Sequence, residues 1–556
     1  MKLIVGIDFG TSTTVVRYRM EDSDTIQALK DANGQSDVIP TVIFRNTECG
    51  TTVYGVQALN AAMSSIKDKP IMNFKMDLLN PAKREEAKGY IEEFMKYIYS
   101  LFREQTLSLS PTQTVINISY PAKWDDTMVK IMKEAVANAG FEGEINGKKE
   151  PEAATRNLLH IHLQELQRAR LLGPGKSLRI LMLDMGAGTT DISIFKLSIG
   201  MDGVPNITEL LSYPSKEETI LCGGREIDAA LRQYILDYCK QRGFDLIPDC
   251  VELPFVKQWK ETVVSPYLKE QRSVGLLPSV GVALKYGKRE DIFQGFSLKR
   301  AEFEQVTHDH WEKLYHLIKS AMAQYRYAQP EDIDFICFTG GHSAWYTLPK
   351  LFNGDGVCGN IAIEGKDPEA LNFKKQKEEP WRMSVVTDYL PHESVARGLC
   401  LMDQKIVYSC PSSNNVWVRI IINDQQGEIV QVVNKFDDIL PVEKDVEHGI
   451  KVLRNYLLET MKVDAQIDIY IGETLEHAEH RTMRLSQDNG SIIFRLIRLF
   501  SLYPLFVPYV DTKIRMKIRM TDEGILEIDG EFWLDKKMLS FSFEDLITVN
   551  ENKIIN

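Results

Sequence analysis

Two apolar runs, Leu3-Ile4-Val5-Gly6-Ile7 and Ile180-Leu181-Met182-Leu183, end alike. Each closes on an aspartate (Asp8, Asp184) and then on small, hydroxyl-bearing residues, Gly10-Thr11-Ser12-Thr13 and Gly186-Ala187-Gly188-Thr189. A second apolar run follows each: Val15 and Val16 in one case, Ile192, Ile194 and Phe195 in the other. The pattern predicts a strand, a tight turn and a returning strand, made twice. Asp125 or Asp126 can cap a helix running to Ala139, with Gly140 as its stop. A longer helical stretch is expected over Arg300 to Tyr327, and a buried strand over Ile333 to Phe338. Strands and helices alternating in this way indicate an α/β architecture. Beyond Asp403 the period changes to two: Ile467, Ile469 and Ile471 alternate with Gln466, Asp468 and Tyr470, and Ile514, Met516, Ile518 and Met520 alternate with Lys513, Arg515, Lys517 and Arg519. Asp522-Glu523-Gly524 then predicts a hairpin turn into Ile525, Leu526 and Ile528. The expected organisation is an α/β domain over 1–403, a linker over 404–415, an all-β module over 416–548 and a tail over 549–556.

The chain has 556 residues, 44% hydrophobic and 26% charged, a composition ordinary for globular domains. Its net charge of -12 argues against nucleic acid as a partner, since phosphate neutralisation needs basic patches. The first apolar run stops at Asp8, so no signal peptide is expected. Ile492 to Val510 is the one stretch resembling a membrane span; Arg495, Arg498, Pro504 and Pro508 interrupt it, which predicts strands and a turn and no membrane partner. Eight scattered cysteines without a CxxC pair suit reduced thiols and a cytoplasmic location. The pairs His160/His162, His308/His310 and His477/His480 lack a second ligand pair at metal spacing and read as solvated. The Lys/Arg stripe of the β module reads as a solvated sheet face.

The two aspartate–glycine turns carry the candidate chemistry. Gly10, Gly186 and Gly188 can take positive φ and leave no Cβ in the way of a ligand. Their N–H groups and the neighbouring hydroxyls can form an anion-binding nest. Carboxylates beside bound phosphate repel it unless a cation intervenes, so Asp8 and Asp184 imply Mg²⁺, held through water. A third loop, Thr339-Gly340-Gly341-His342-Ser343, also follows a buried strand, and Gly223-Gly224 is a weaker candidate of the same kind.

In their order these motifs resemble the ATPase domain shared by the actin, sugar-kinase and heat-shock protein 70 superfamily, and most closely the heat-shock protein 70 chaperones. Besides the two phosphate loops, Phe74-Lys75-Met76-Asp77-Leu78-Leu79 resembles the segment with the catalytic lysine. Tyr120-Pro121-Ala122 with Glu150-Pro151-Glu152-Ala153-Ala154, and Pro391 to Gly398, resemble the two hinge regions. Leu221 to Asp228 resembles the glycine-rich segment before the adenine pocket, and Thr339 to Ser343 the adenosine motif. Ile439-Leu440-Pro441-Val442, Ile469 to Glu473 and Asp522 to Leu526 resemble the family's β-sandwich in corresponding order.

The resemblance implies an actin-like, two-lobed fold of duplicated ribonuclease-H-like halves, followed by a substrate-binding-like β-sandwich. It implies ATP and ADP as ligands, with Gly10 to Thr13 and Gly186 to Thr189 on the phosphates and Gly223, Gly224, Lys260, Gly340, Gly341, His342 and Trp345 around the nucleoside. Lys75 would place a positive charge near the γ-phosphate, Glu150 and Asp191 would orient the attacking water, and Thr189 would contact the γ-phosphate through its hydroxyl. It further implies an extended or unfolded polypeptide client or a folded protein partner, a co-chaperone and a nucleotide exchange factor. Some positions depart from the family: Ala344-Trp345 stands where an arginine stacks on the base, so either Trp345 is expected to stack instead or purine affinity is expected to be reduced. Lys257 stands for a glutamate on the adenine-contacting helix, and His392 for an acidic residue. The family's helical lid has no counterpart after the β module, so client binding is expected to be fast and weak. A filament-forming actin-like ATPase and a small-molecule kinase share the fold; the β module disfavours the first and the missing acceptor base the second.

Overall fold

The computed structural model describes residues 2–65, 67–121, 124, 126–214, 222–247, 251–324, 333–348, 357–358, 361–362, 386–387, 391–411, 415–422, 424–434, 439–440, 442–453, 465–472, 474–484, 509–520, 526–534 and 537–543. Two compact units divide the chain, Met1–Val407 and Tyr408–Asn556.

The first unit is built on two sheets of the same design. In one, β1 (Lys2–Phe9) and β2 (Thr13–Met20) form an antiparallel hairpin; β3 (Gln113–Tyr120) lies parallel to β1, and β4 (Glu144–Lys149) parallel to β3. In the other, β5 (Ser177–Met185) and β6 (Thr190–Ile199) form the hairpin, β7 (Pro205–Tyr213) extends it, and β8 (Phe335–Thr339) lies parallel to β5. The registers correspond residue for residue: Asp8 faces Val15 as Asp184 faces Asp191, and Phe9 faces Thr14 as Met185 faces Thr190. Each sheet covers its own apolar core. One gathers Val5, Ile7 and Phe9 with Ile91, Phe94 and Ile98 of α1 (Arg84–Gln105) and Met132 and Val136 of α2 (Asp126–Asn138). The other gathers Leu181, Leu183, Ile192 and Ile194 with side chains of helices that follow in the chain.

Between the two hairpins in sequence runs α3 (Glu150–Arg168), begun by Pro151, whose fixed φ and missing N–H suit a first turn. Further on come α4 (Gly224–Gln241), α5 (Leu253–Trp259), α6 (His308–Gln324) and α7 (Ser394–Leu399). The helical stretch expected over Arg300 to Tyr327 breaks at Thr307, between a helix at Arg300–Val306 and α6. There the Thr307 hydroxyl donates to the Phe303 carbonyl (2.7 Å) and accepts from Trp311 Nε1 (2.8 Å), a local bonding pattern that competes with the helix. The helix expected from Asp126 ends one residue short of Ala139, at Asn138, and Gly140 follows with φ 106.

The second unit holds antiparallel sheets. One contains β9 (Asn415–Ile422), β11 (Ala465–Gly472) and β12 (Glu479–Arg484); the other contains β10 (Val442–Leu453), β13 (Tyr509–Met520), β14 (Leu526–Leu534) and β15 (Lys537–Phe543). Val416, Val418, Ile420 and Ile422 are buried, as are Ile467, Ile469, Ile514, Met516, Ile518 and Met520, so each sheet has one apolar face. The basic stripe is neutralised within its sheet: Lys513 and Arg515 pair with Glu447, Lys517 with Glu443 and Arg519 with Glu527. Asp468 departs from the simple alternation. It is buried, accepting from Arg419 (2.8 Å) and Thr482 (2.9 Å), which balances the cost of sequestering its charge. The turn expected at Asp522-Glu523-Gly524 lies outside the described residues, as does most of Ile492 to Val510. Among the described residues no helix is long and apolar enough to cross a membrane.

Candidate functional site

A cavity of about 390 Å³ opens where the β1–β2 and β5–β6 turns face each other at the carboxyl ends of β1, β3, β5 and β8, the usual place for a ligand on such sheets. Asp8, Gly10, Thr11, Ser12, Thr13, Lys75, Glu150, Asp184, Gly186, Ala187, Gly188, Thr189, Gly224, Lys260, Gly340, Gly341, His342 and Trp345 all line it. Two expected site residues lie behind the lining. Asp191 is 7% exposed and faces Asp184 across the hairpin; Gly223 packs against the second turn, where a Cβ would fall 2.7 Å from the Ala187 carbonyl oxygen.

The turns are closed in the same manner: Gly10 N–H donates to the Thr13 carbonyl (3.0 Å) and Gly186 N–H to the Thr189 carbonyl (2.9 Å). Neither glycine, nor Gly188, takes the positive φ expected of it. Gly10 is needed for space instead, because a Cβ there would meet the Thr13 carbonyl oxygen at 2.3 Å. Closing the turns uses the glycine N–H groups, so the anion-facing donors are those that follow. Among the described residues the N–H groups of Thr11, Ser12, Ala187 and Gly188 donate to no backbone carbonyl. Four free donors on two facing turns make an anion nest. The second turn is held by α4, whose Gly224 and Arg225 N–H groups donate to the carbonyls of Gly186 (3.2 Å) and Ala187 (2.9 Å).

On the cavity floor, the Lys75 ammonium contacts Glu150 (2.9 Å) and lies over the Trp124 ring. Ser119, next to β1 on β3, donates to Asp8 (2.7 Å). Burial, with the Glu150 charge, pushes the Asp8 carboxyl up to about 6 although Lys75 and Ser119 oppose the shift. Burial also raises Asp184 well above the usual carboxylate range, helped by Glu150, Asp191 and Asp8. Clustered carboxylates of this kind gain most from a hard divalent cation, and an all-oxygen donor set suits Mg²⁺.

Around His342 and Trp345 the cavity wall is backed by a buried polar chain. Trp345 Nε1–H donates to His342 Nδ1 (3.2 Å), which leaves the His342 proton on Nε2 to be donated to His310 Nε2 (3.0 Å). His310 then donates from Nδ1 to Glu226 (3.0 Å), which also accepts from Lys313 (2.6 Å). His310 is therefore not the solvated side chain expected from the sequence: it is 5% exposed. Nor is Trp345 a free stacking platform. Its ring borders the cavity but is 5% exposed and stacked on Phe303 at 4.7 Å. Lys260 Nζ contacts Asp228 (2.7 Å) and donates to the Gly224 carbonyl (2.9 Å). Ser119, Trp124, Asp228, Glu226 and His310 were not expected at the site. The one signal for them is a polar residue at the end of an apolar strand, for Ser119, and proximity to Gly223-Gly224, for Glu226 and Asp228.

Burial lowers the pKa of both His310 and His342, the second well below its usual value, so both rings stay neutral when folded. In the unfolded chain they protonate near pH 6.5. Stability from this pair is complete above that pH and is lost as pH falls, since the unfolded state then binds more protons. Thermal midpoints measured against pH should show the loss, and His342→Gln should make its acid limb shallower between about pH 6.5 and 5.

Comparison with known proteins agrees with this geometry. The family described as Hsp70 protein matches residues 102–351. The chaperone protein DnaK of Thermosipho africanus is 26% identical over 375 residues, 66% of this chain and 55% of that protein. DnaK of Thermotoga neapolitana is 26% identical over 350 residues (61% and 53%), and that of Mesomycoplasma hyopneumoniae 27% over 351 (61% and 52%). The chain thus spans about half the length of the curated relatives it matches. Duplicated hairpins, facing turns and these matches together make the chain similar to the Hsp70 family over residues 102–351, and its α/β fold is of that family's actin-like kind.

Proposed function

We propose that the chain is a chaperone-type ATPase: it binds ATP or ADP with Mg²⁺ between the two turns, hydrolyses ATP slowly, and uses the nucleotide state to bias protein binding by the β module. The observation that carries this reading is the pair of facing turns, each with free N–H donors, over a floor of half-buried carboxylates and one buried lysine. Asp8 and Asp184 would hold Mg²⁺ through water, and the ion would supply charge neutralisation on the phosphate oxygens. Thr11 to Thr13 and Ala187 to Thr189 bind the phosphates through N–H and hydroxyl groups. Lys75 balances charge beside the γ-phosphate. Glu150, fixed by Lys75 and facing the cavity, orients the attacking water and accepts its proton. Asp191 acts from behind the lining, through Asp184, by setting the local field.

The β module would take an extended apolar segment or a folded partner, with strand addition at a sheet edge as the general mode for the former. A co-chaperone, an exchange factor and a cytoplasmic location fit the same reading. Its test is single-turnover ATP hydrolysis with and without an unfolded apolar peptide. Slow hydrolysis accelerated about tenfold or more by peptide is expected if the two units are coupled. Hydrolysis indifferent to every peptide tried would remove the client-coupled part, and no hydrolysis at all would remove the ATPase.

A further inference from the structure

A second cavity, of about 490 Å³, adjoins the nucleotide site and shares Ser12, Asp228 and Lys257 with it. Its charged lining is Lys69, Arg225, Arg232 and Lys257 against Asp228 and Glu252. Both acids are already engaged, Glu252 with Lys69 and Asp228 with Lys260. Three cations are left over. Among the described residues the Lys257 ammonium and the Arg225 guanidinium make no hydrogen bond or ion pair, and Arg232 gives only its Nε, to the Val251 carbonyl (2.9 Å). Burial pushes the Lys257 ammonium below the usual lysine range. The Glu261 and Asp228 charges oppose that shift without a hydrogen bond to the ammonium, so a half-buried Lys257 still gains from an anion that joins it.

The position of these groups along the ligand selects the anion. On the nucleotide reading, with phosphates on the two turns and the base toward the Gly340–Trp345 segment, the sugar would lie between them, and Lys257 is one of three residues, with Ser12 and Asp228, that line both cavities. We propose that the second cavity receives a phosphate group carried on the sugar of the bound nucleotide, held by Lys257, Arg225 and Arg232. The ligand class is therefore a purine nucleotide phosphorylated on its 2′ or 3′ hydroxyl as well as at the 5′ position. This inference rests on the nucleotide reading of the first cavity and deepens it. A carboxylate at position 257 would accept from sugar hydroxyls and repel such a ligand, whereas an ammonium attracts it.

Calorimetric titration of the full chain tests this with ADP, with its 2′- and 3′-phosphorylated forms, and with ADP in the presence of inorganic phosphate. One of the sugar-phosphorylated forms is expected to bind about tenfold or more tightly than ADP, as two or three charge-assisted hydrogen bonds allow. Arg225→Ala should keep ADP affinity, because its side chain lines only the second cavity, and lose most of that gain. Lys257→Glu should reverse the preference. Equal affinity for all three nucleotides, a gain that survives both variants, or a gain reproduced by free phosphate would each overturn the proposal. ADP binding without the gain removes this inference alone; failure to bind ADP removes the nucleotide reading and this inference with it.

Discussion

Lys75→Ala is expected to slow single-turnover ATP hydrolysis by about 10²- to 10³-fold, the cost of losing one preorganised charge at a developing oxyanion. The ammonium is 2.9 Å from Glu150, and Glu150 in turn raises the pKa of both Asp8 and Asp184. Removing Lys75 therefore does more than delete a contact: it leaves three neighbouring carboxyl groups with one cation fewer and favours their protonation. ADP affinity should fall far less than the rate, because the turn N–H groups proposed to bind phosphate are untouched. Quenched-flow measurement of the rate beside calorimetric ADP affinity separates the two effects. A rate within threefold of the parent would show that Lys75 merely closes a buried ion pair. Lys75→Arg is informative as well, since a planar guanidinium cannot take the position of a compact ammonium between Glu150 and the Trp124 ring.

The second large effect is on stability. Gly398 in α7 packs against α3 so closely that a Cβ would sit 1.7 Å from the Ala153 carbonyl oxygen. No rotamer change relieves a clash with backbone, so Gly398→Ala must separate the helices. That is expected to cost about 3 kcal/mol or more, the upper end for overpacking. The separation would also disturb polar contacts that hold α7: Asn157 donates to Ser394 (3.1 Å), and Asn117 to the Leu399 carbonyl (2.8 Å). The readout is the thermal midpoint with and without ADP, alongside Gly89→Ala as a control. Gly89 lies in α1 with nothing near its missing Cβ, so alanine there should stabilise by about 0.5–1 kcal/mol through helix propensity. A Gly398→Ala chain as stable as the parent would show that α3 and α7 can move apart freely.

Both expectations depend on contacts between segments far apart in sequence, and this marks where sequence reading stopped. The paired turns were legible because a strand ending in Asp and returning through Gly and Thr is a local pattern, set by sterics and by the period of apolar positions. The alternation in β11 and β13 was legible for the same reason, and so was the order of motifs behind the family resemblance. Ring tautomers at His342 and His310 were not legible: they follow from Trp345, Glu226 and Lys313, which come from separate segments and meet only in the folded chain. The burial of Asp468, an outward position by period, likewise needed Arg419 and Thr482 from neighbouring strands to hold its charge. Even the role of Gly10 changed, from a supposed positive φ to simple lack of room beside Thr13.

What the sequence determined by itself is the set of short-range preferences: where strands turn, which faces are apolar, and which residue types line the turns. Tertiary structure alone decided which charges share a buried space. Lys75 with Glu150, Asp184 with Asp191, and the gathering of Arg225, Arg232 and Lys257 are consequences of three-dimensional proximity in a medium of low dielectric constant, where a few ångströms set both pKa and ligand preference.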